Sequence, residues 1–178
     1  MKGNQRYIQD KLEHPNRTQE RREASEGKQF PFAVVVGCSD SRVSPEIIFD
    51  QGVGDLFVVR VAGNVIGPIE LESIQFAATA LKSVLILVVG HENCSAVKAV
   101  VDGNTGELPA ISLIIGPAIA DEKNHGKNDL LTAAIKANAI HMKELLLNSG
   151  EIGALVREKK VEVAAAYYNL QTGAIELL

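Results

Sequence analysis

Three short apolar runs, each of strand length and each closed by a turn carrying glycine, constrain this chain more than any other feature. Phe32 to Val36 stops at Gly37-Cys38, Leu56 to Val61 at Ala62-Gly63-Asn64, and Val84 to Val89 at Gly90-His91. Continuous β-branched runs of this length suit strands buried on both faces, and helix signals lie between them. Ser44-Pro45-Glu46 offers an N-cap, a proline at the first helical position and an acidic first turn for a short helix to Asp50. Gly67-Pro68 opens a second helix to about Leu81, and Cys94 to Val101 reads as a third. Val161 to Tyr168 is a fourth strand, and the Asn169 to Gly173 turn allows Ala174 to Leu178 to return beside it. The predicted fold is therefore α/β, a mainly parallel sheet of four strands with an antiparallel C-terminal edge strand, flanked by helices. Asp129 to Asn148, apolar at Leu130, Ala133, Ala134, Ala137, Ile140 and Leu145, predicts a long amphipathic helix, while residues 106–127 give no clear assignment. Residues 1–28 are polar, with Tyr7, Ile8 and Leu12 at helical spacing, and predict an N-terminal helical arm that continues as an extended stretch through His14-Pro15-Asn16.

At 178 residues, 46% of them apolar, one domain spanning 1–178 with a substantial core is expected. The 18 basic and 22 acidic side chains leave a formal charge of only -4 with no basic cluster, which argues against a nucleic-acid partner. The longest apolar stretches fall far short of the roughly 20 residues that cross a bilayer, so no membrane partner is expected either. The polar start, Met1 to Arg6, is unlike a signal peptide and points to the cytoplasm, with the periplasm as the alternative if a leader has been removed. Gly52-Val53-Gly54 leads into a strand rather than out of one into a helix, so it reads as a turn and not as a dinucleotide loop.

Ligands of open parallel sheets bind beyond the carboxyl ends of the strands. Cys38 follows the first strand at that end, and His91 with Cys94 follows the third. Two thiolates and an imidazole suit Zn²⁺, and three protein ligands leave one coordination place open, the hallmark of a catalytic rather than a structural zinc site. Asp40 is the candidate fourth ligand, and Arg42, two residues on, can fork onto its carboxylate. Held back by Arg42, Asp40 would leave that place to water and accept its hydrogen bond. Inert buried thiols or a disulfide are the alternative for Cys38 and Cys94, though packing alone does not explain His91 at this spacing. His125 and His141 are read as surface or packing residues.

These residues resemble the β-class carbonic anhydrases. The segments that carry the resemblance are Cys38-Ser39-Asp40-Ser41-Arg42, Gly54-Asp55-Leu56-Phe57-Val58-Val59-Arg60-Val61-Ala62-Gly63-Asn64 and Gly90-His91-Glu92-Asn93-Cys94. It extends from about Asn4 to the Tyr168 to Gly173 turn. It implies one Zn²⁺ per chain on Cys38, His91 and Cys94, with Asp40 and Arg42 as the catalytic dyad. The activity implied is the reversible hydration of CO₂ to bicarbonate and a proton through zinc-bound hydroxide. Hydrolysis of COS or CS₂ on the same site, or a non-catalytic zinc-binding role, are the alternatives. By the same resemblance Gln29, Phe57 and the amide of Ser95 line the pocket for CO₂ and bicarbonate, partly across a subunit boundary. A homo-oligomer, dimer or tetramer, is implied, with residues 1–28 as an arm packing on a partner subunit. Ser95 stands where the family usually has glycine. A regulatory bicarbonate pocket that some members build from Trp, Arg and Tyr is weakened, since Val35 replaces the Trp beside Arg60 and Tyr168.

Overall fold

A computed structural model describes residues 1–124 and 130–178, with the side chains of 123 and 124 also left aside. The sheet has five strands: β1 (Ala33–Gly37), β2 (Leu56–Arg60), β3 (Leu85–His91), β4 (Glu162–Tyr168) and β5 (Ile175–Leu177). Their order is β2-β1-β3-β4-β5, with β1 to β4 parallel and β5 antiparallel to β4. This is the predicted class and sheet. Leu56 to Val61, however, reads as a fully buried strand, whereas only Val59 of β2 is buried. The reason is strand order: β2 lies at the edge, with a single strand beside it.

Helices α1 (Lys2–Ile8), α2 (Gln19–Ser25) and α3 (Pro45–Ile48) precede β2; α4 (Pro68–Thr79) joins β2 to β3; and α5 (Ser95–Val101), α6 (Pro109–Ala118), α7 (Ala120–Asn124), α8 (Leu130–Asn148) and α9 (Gly150–Arg157) fill the space between β3 and β4. Parallel crossovers are right-handed, so reversing direction across the sheet moves the connecting helix to the other face. The β1 to β2 crossover runs one way, and the β2 to β3 and β3 to β4 crossovers run the other. Helices α4, α5 and α8 accordingly form one layer with β1 to β4, while α1 and α3 pack together elsewhere. Gly90 lets α8 lie close on β3, because a Cβ there would stand 3.0 Å from Ile135 Cγ2 and 3.2 Å from its carbonyl oxygen.

The inward stripe of α8 differs from the expected one. Ala134, Ile135, Asn138, Ala139, Met142 and Leu146 are buried, whereas Ile140 is exposed and Leu145 only half-buried. Alanines occur on most sides of this helix, so the apolar pattern leaves its rotation free, and the contact with β3 and β4 sets it. Residue 129, where the helix was expected to begin, and His125 lie outside the described residues.

The arm contains a second short helix, α2, which its run of charges concealed. Thr18 caps it by accepting from the Arg21 amide at 3.2 Å. The arm is tied to the chain's own 49–55 loop by two carboxylates. Asp50, with φ 48° and no exposed surface, accepts from Arg6 Nε at 2.6 Å and from the amides of Glu13 and His14 at 3.0 Å each. Asp55 accepts from Asn16 Nδ2 at 2.8 Å and from the Gly52 amide at 2.8 Å. Burial opposes the charge on Asp50, yet the Glu13 amide, Arg6 and the His14 amide outweigh it and hold the carboxyl at about 2. A group depressed in this way stabilises the fold above its unfolded value of about 3.9, and the contribution disappears as pH falls through about 2. Asp50→Ala should lower stability by ~2 kcal/mol in urea unfolding at pH 7, because it empties a buried acceptor site and leaves the Glu13 and His14 amides without it. The same substitution should make the arm the first site cut in limited proteolysis, and an unchanged urea midpoint would remove Asp50 from this role.

Candidate metal centre

β1 and β3 are neighbours in register, Gly37 opposite Val89, so the residues after them emerge side by side. Cys38 lies one residue beyond β1, His91 ends β3, and Cys94 is the N-cap of α5. The left-handed Asn93, at φ 53°, turns the chain between His91 and Cys94. All three side chains are buried, and their ligand atoms lie within 4.8 Å of one another.

The two sulfurs are 4.0 Å apart and unbonded. A tetrahedral ion with Zn–S bonds of about 2.3 Å separates its sulfurs by about 3.8 Å, so the observed spacing suits a shared ion and excludes a disulfide in this structure. His91 Nδ1 lies 2.9 Å from the Glu92 carbonyl oxygen and donates to it, which puts the free lone pair on Nε2. That Nε2 is buried and has no hydrogen-bond partner among the described residues. An unpaired buried ring nitrogen is unfavourable unless something accepts its lone pair, and a cation between it and the two sulfurs does so. The donor set therefore fits Zn²⁺.

The sulfurs sit among backbone donors. Cys38 Sγ accepts from the Gly63 amide at 3.2 Å and from the Asp40 amide, and Cys94 Sγ faces the Ala96 and Val97 amides that open α5. Without metal, Cys94 donates to Cys38. That bond, with the two amides, outweighs burial and holds the Cys38 thiol well below the usual thiol range, while Cys94 is pushed up by the same bond and by burial. The pair is one thiolate and one thiol.

Asp40 stands outside this trio. Arg42 Nε and Nη2 donate to its two oxygens at 2.9 and 2.6 Å, and the Arg42 amide adds a third bond at 2.9 Å. Asp40 Oδ2 remains 4.0 Å from His91 Nε2. Arg42, with its amide and the nearby imidazole, drives the Asp40 carboxyl far below the usual carboxylate range. Arg60 then fixes the loop itself, donating to the Cys38 carbonyl at 2.9 Å and to the Asp40 carbonyl at 2.6 Å. The Tyr168 hydroxyl lies 3.3 Å from that of Tyr7, and Val35 is buried in β1, so Arg60 and Tyr168, the two polar residues that match the family's regulatory pocket, have partners within the chain.

Ser95 begins α5 beside Cys94 with its side chain exposed. Gln29 and Phe57 are not brought to the trio by this chain. Gln29 lies exposed before the start of β1, beside Leu81 and Lys82, and Phe57 sits opposite Val34, near the amino end of its strand. His141 is exposed on α8. The Arg60 contacts and the Gly63 amide were not legible as parts of the centre, since each depends on where the end of β2 falls relative to β1.

A carbonic anhydrase family model matches residues 33–175. The chain belongs to the β-class carbonic anhydrases. A carbonic anhydrase of Mycolicibacterium smegmatis is 38% identical over 185 residues, covering 98% of this chain and 88% of the relative. Among solved structures, the β-carbonic anhydrase CcaA has a TM-score of 0.80 at 25% identity over 90% of this chain and 82% of that one. A tetrameric β-carbonic anhydrase from Sordaria macrospora has the same fold, with a TM-score of 0.74 at 20% identity over 89% of each chain. The family is one of enzymes, carbonate dehydratases, and the Cys38, His91 and Cys94 cluster falls inside the matched region. No helix among the described residues is long and apolar enough to cross a membrane.

In the reduced, metal-free protein, ultraviolet thiolate absorbance should report one thiolate per chain at pH 7, falling away only at a pH well below the ordinary thiol range. Cys94→Ala should move that midpoint upward by removing the strongest donor; a midpoint in the ordinary thiol range for the unsubstituted chain would contradict the paired arrangement.

Proposed function

We propose that this chain catalyses the reversible hydration of CO₂ to bicarbonate and a proton, with one Zn²⁺ per chain held by Cys38, His91 and Cys94. The observation that carries this reading is the buried trio with an unpaired imidazole nitrogen beside a carboxylate that Arg42 keeps turned aside. A structural site would have a fourth protein ligand drawn in; here the nearest candidate is held on a bidentate guanidinium. Zinc bound there supplies Lewis acidity, which makes water a nucleophile at neutral pH.

The chain's own residues do the rest. Asp40 stays ionised through Arg42, so at any pH near neutrality it is an acceptor only, and it orients the O–H of the reacting water with a lone pair toward CO₂. Arg42 positions that carboxylate and keeps it off the metal. The amides on Cys38 and Cys94 draw charge from the thiolates, which would otherwise cancel the charge of the ion and weaken its pull on water. The Ser95 amide, at the start of α5, is the donor we assign to the product oxygen. Gln29 and Phe57 join the pocket from a second copy of the chain, since within one chain they lie away from the trio.

A homo-oligomer, dimer or tetramer, follows from the same reading. The sheet face away from α4, α5 and α8 carries an apolar groove of about 280 Å³ lined by Val35, Leu85, Leu87 and Ala164, with Phe32 and Leu177 at its rim. Phe32 and Leu177 are at least half exposed. Covering this face with a second copy, against which the 1–28 arm would also rest, removes it from water.

Purified protein should contain one zinc per chain. Cys38→Ser and His91→Ala should lose both the metal and CO₂ hydration measured by stopped flow with a pH indicator. Asp40→Ala should keep the metal and lose at least tenfold in turnover; full activity in that variant would refute the role given to Asp40. Sedimentation velocity should show a dimer or larger at micromolar concentration, and Phe32→Asp, which puts a charge at the exposed rim of the groove, should shift it toward monomer. A monomeric, fully active protein would exclude a pocket shared between subunits.

A further inference from the structure

Asn138 is a primary amide in the middle of the buried stripe of α8, with no exposed surface and with Ala134, Ile135, Ala139 and Met142 as its buried neighbours along that stripe. Burying an amide is unfavourable unless it is bonded, and alanine or leucine would suit this stripe better. Its Nδ2 donates to the Gly63 carbonyl at 2.8 Å, and its Oδ1 has no hydrogen-bond partner among the described residues. The residue thus makes one specific contact, on the glycine whose amide points at Cys38 Sγ from 3.2 Å.

Gly63 cannot hold itself in place. It has φ 73° and is followed by Asn64 at φ 46°, two consecutive left-handed residues in a short turn. A Cβ at Gly63 would stand 2.8 Å from Ile115 Cδ1 and 3.3 Å from Ala96 Cβ, so glycine is required both for the space and for the angle. Glycine is also the residue with the most freedom to leave such a conformation. Anchors on both sides prevent that: the sulfur on its amide and Asn138 on its carbonyl, while the Asn64 amide closes the turn on the Val61 carbonyl at 2.9 Å.

We infer that Asn138 is a positioning residue of the metal centre, acting through Gly63: by holding the Gly63 carbonyl it keeps the Gly63 amide aimed at Cys38 Sγ and so sets the charge that this thiolate gives the metal. The inference rests on the metal reading above. An N–H···S bond withdraws charge from sulfur, and partners of ligands typically change metal affinity or activity by 10- to 100-fold when removed. Helix α8 touches none of the ligands through Asn138 itself, so the effect is indirect and distinct from that of Asp40 or Arg42.

The test uses the full chain loaded with Co²⁺ or with ¹¹³Cd²⁺. In Asn138→Leu, cobalt affinity should fall about tenfold, and the sulfur-to-cobalt charge-transfer band should move to longer wavelength, because a thiolate with one fewer donor releases its electrons more readily. Leu146→Ala, buried on the same stripe eight residues further along α8, should lower stability without moving the band. A second measurement needs no substitution: in the ¹¹³Cd²⁺ form of the unsubstituted protein, the Gly63 amide proton should show scalar coupling to cadmium through the sulfur. A band unmoved in Asn138→Leu, an equal shift in Leu146→Ala, or a Gly63 proton uncoupled from cadmium overturns the inference while leaving the metal reading intact. A chain that takes up neither ion on its thiolates overturns both.

Discussion

Parallel pairing of β1 with β3, in register from Ala33 opposite Leu85 to Gly37 opposite Val89, is the constraint on which the metal centre depends. It brings Cys38 and Cys94, 56 positions apart in the chain, to a sulfur separation of 4.0 Å. Shifting that register by one residue would move Cys38 by about 3.3 Å along the strand and turn its side chain to the other face. Such a slip is opposed by the core itself, because Val34, Val36, Ile86 and Val88 have essentially no exposed surface. The same interior that stabilises the domain therefore holds two of the three ligands, and β2 adds Arg60, which closes the Cys38 to Asp40 loop from the other side.

Around this frame the charges are arranged in two opposed groups. Amides of Asp40, Gly63, Ala96 and Val97 converge on the sulfurs and favour their ionised forms. Arg42 takes the carboxylate of Asp40, which without it would be the nearest oxygen able to complete the coordination shell. In the proposed function the first group would favour a cation and the second would leave one place in its shell open. Both are needed for chemistry, since a fully closed thiolate-rich site would hold zinc without leaving a place for substrate.

Much of this was legible in the sequence, and the remainder was hidden for identifiable reasons. Apolar runs ending in Gly37-Cys38 and Gly90-His91 revealed the parallel strands and put the ligand candidates at one edge, because strand period and strand-end chemistry are local properties. The edge position of β2 was not legible, since strand order is a property of the whole sheet. Helices α6 and α7 escaped assignment because 109–118 is apolar on nearly every side and contains Gly116 and Pro117. Helix α9 carries Gly150 and Gly153, which lower its local propensity, and it forms through contact with α4 and α8. In α8 the alanines masked the buried face, and with it Asn138, a polar residue four positions from each of Ala134 and Met142. Read with the right helix rotation, that placement would have marked Asn138 as the one amide on an otherwise apolar stripe.

The uneven cover of the sheet follows from the strand order together with the handedness of crossovers. With β1 inside the sheet and β2 outside it, only the β1 to β2 connection can place a helix on the second face, and α3, which lies in it, is four residues long. The other face receives α4, α5 and α8, with α6, α7 and α9 packed against them. A four-residue helix cannot cover four strands, so a groove lined by Val35, Leu85 and Leu87 and rimmed by the exposed Phe32 and Leu177 opens on that face, and the N-terminal segment is drawn across to pack against α3. This arrangement explains why so polar an arm is held by buried carboxylates: Asp50 and Asp55 give it directional, charge-assisted bonds where it has few apolar side chains to bury. The arm and the open face are thus two consequences of one topological choice, the same choice that sets β1 beside β3 and makes the metal centre.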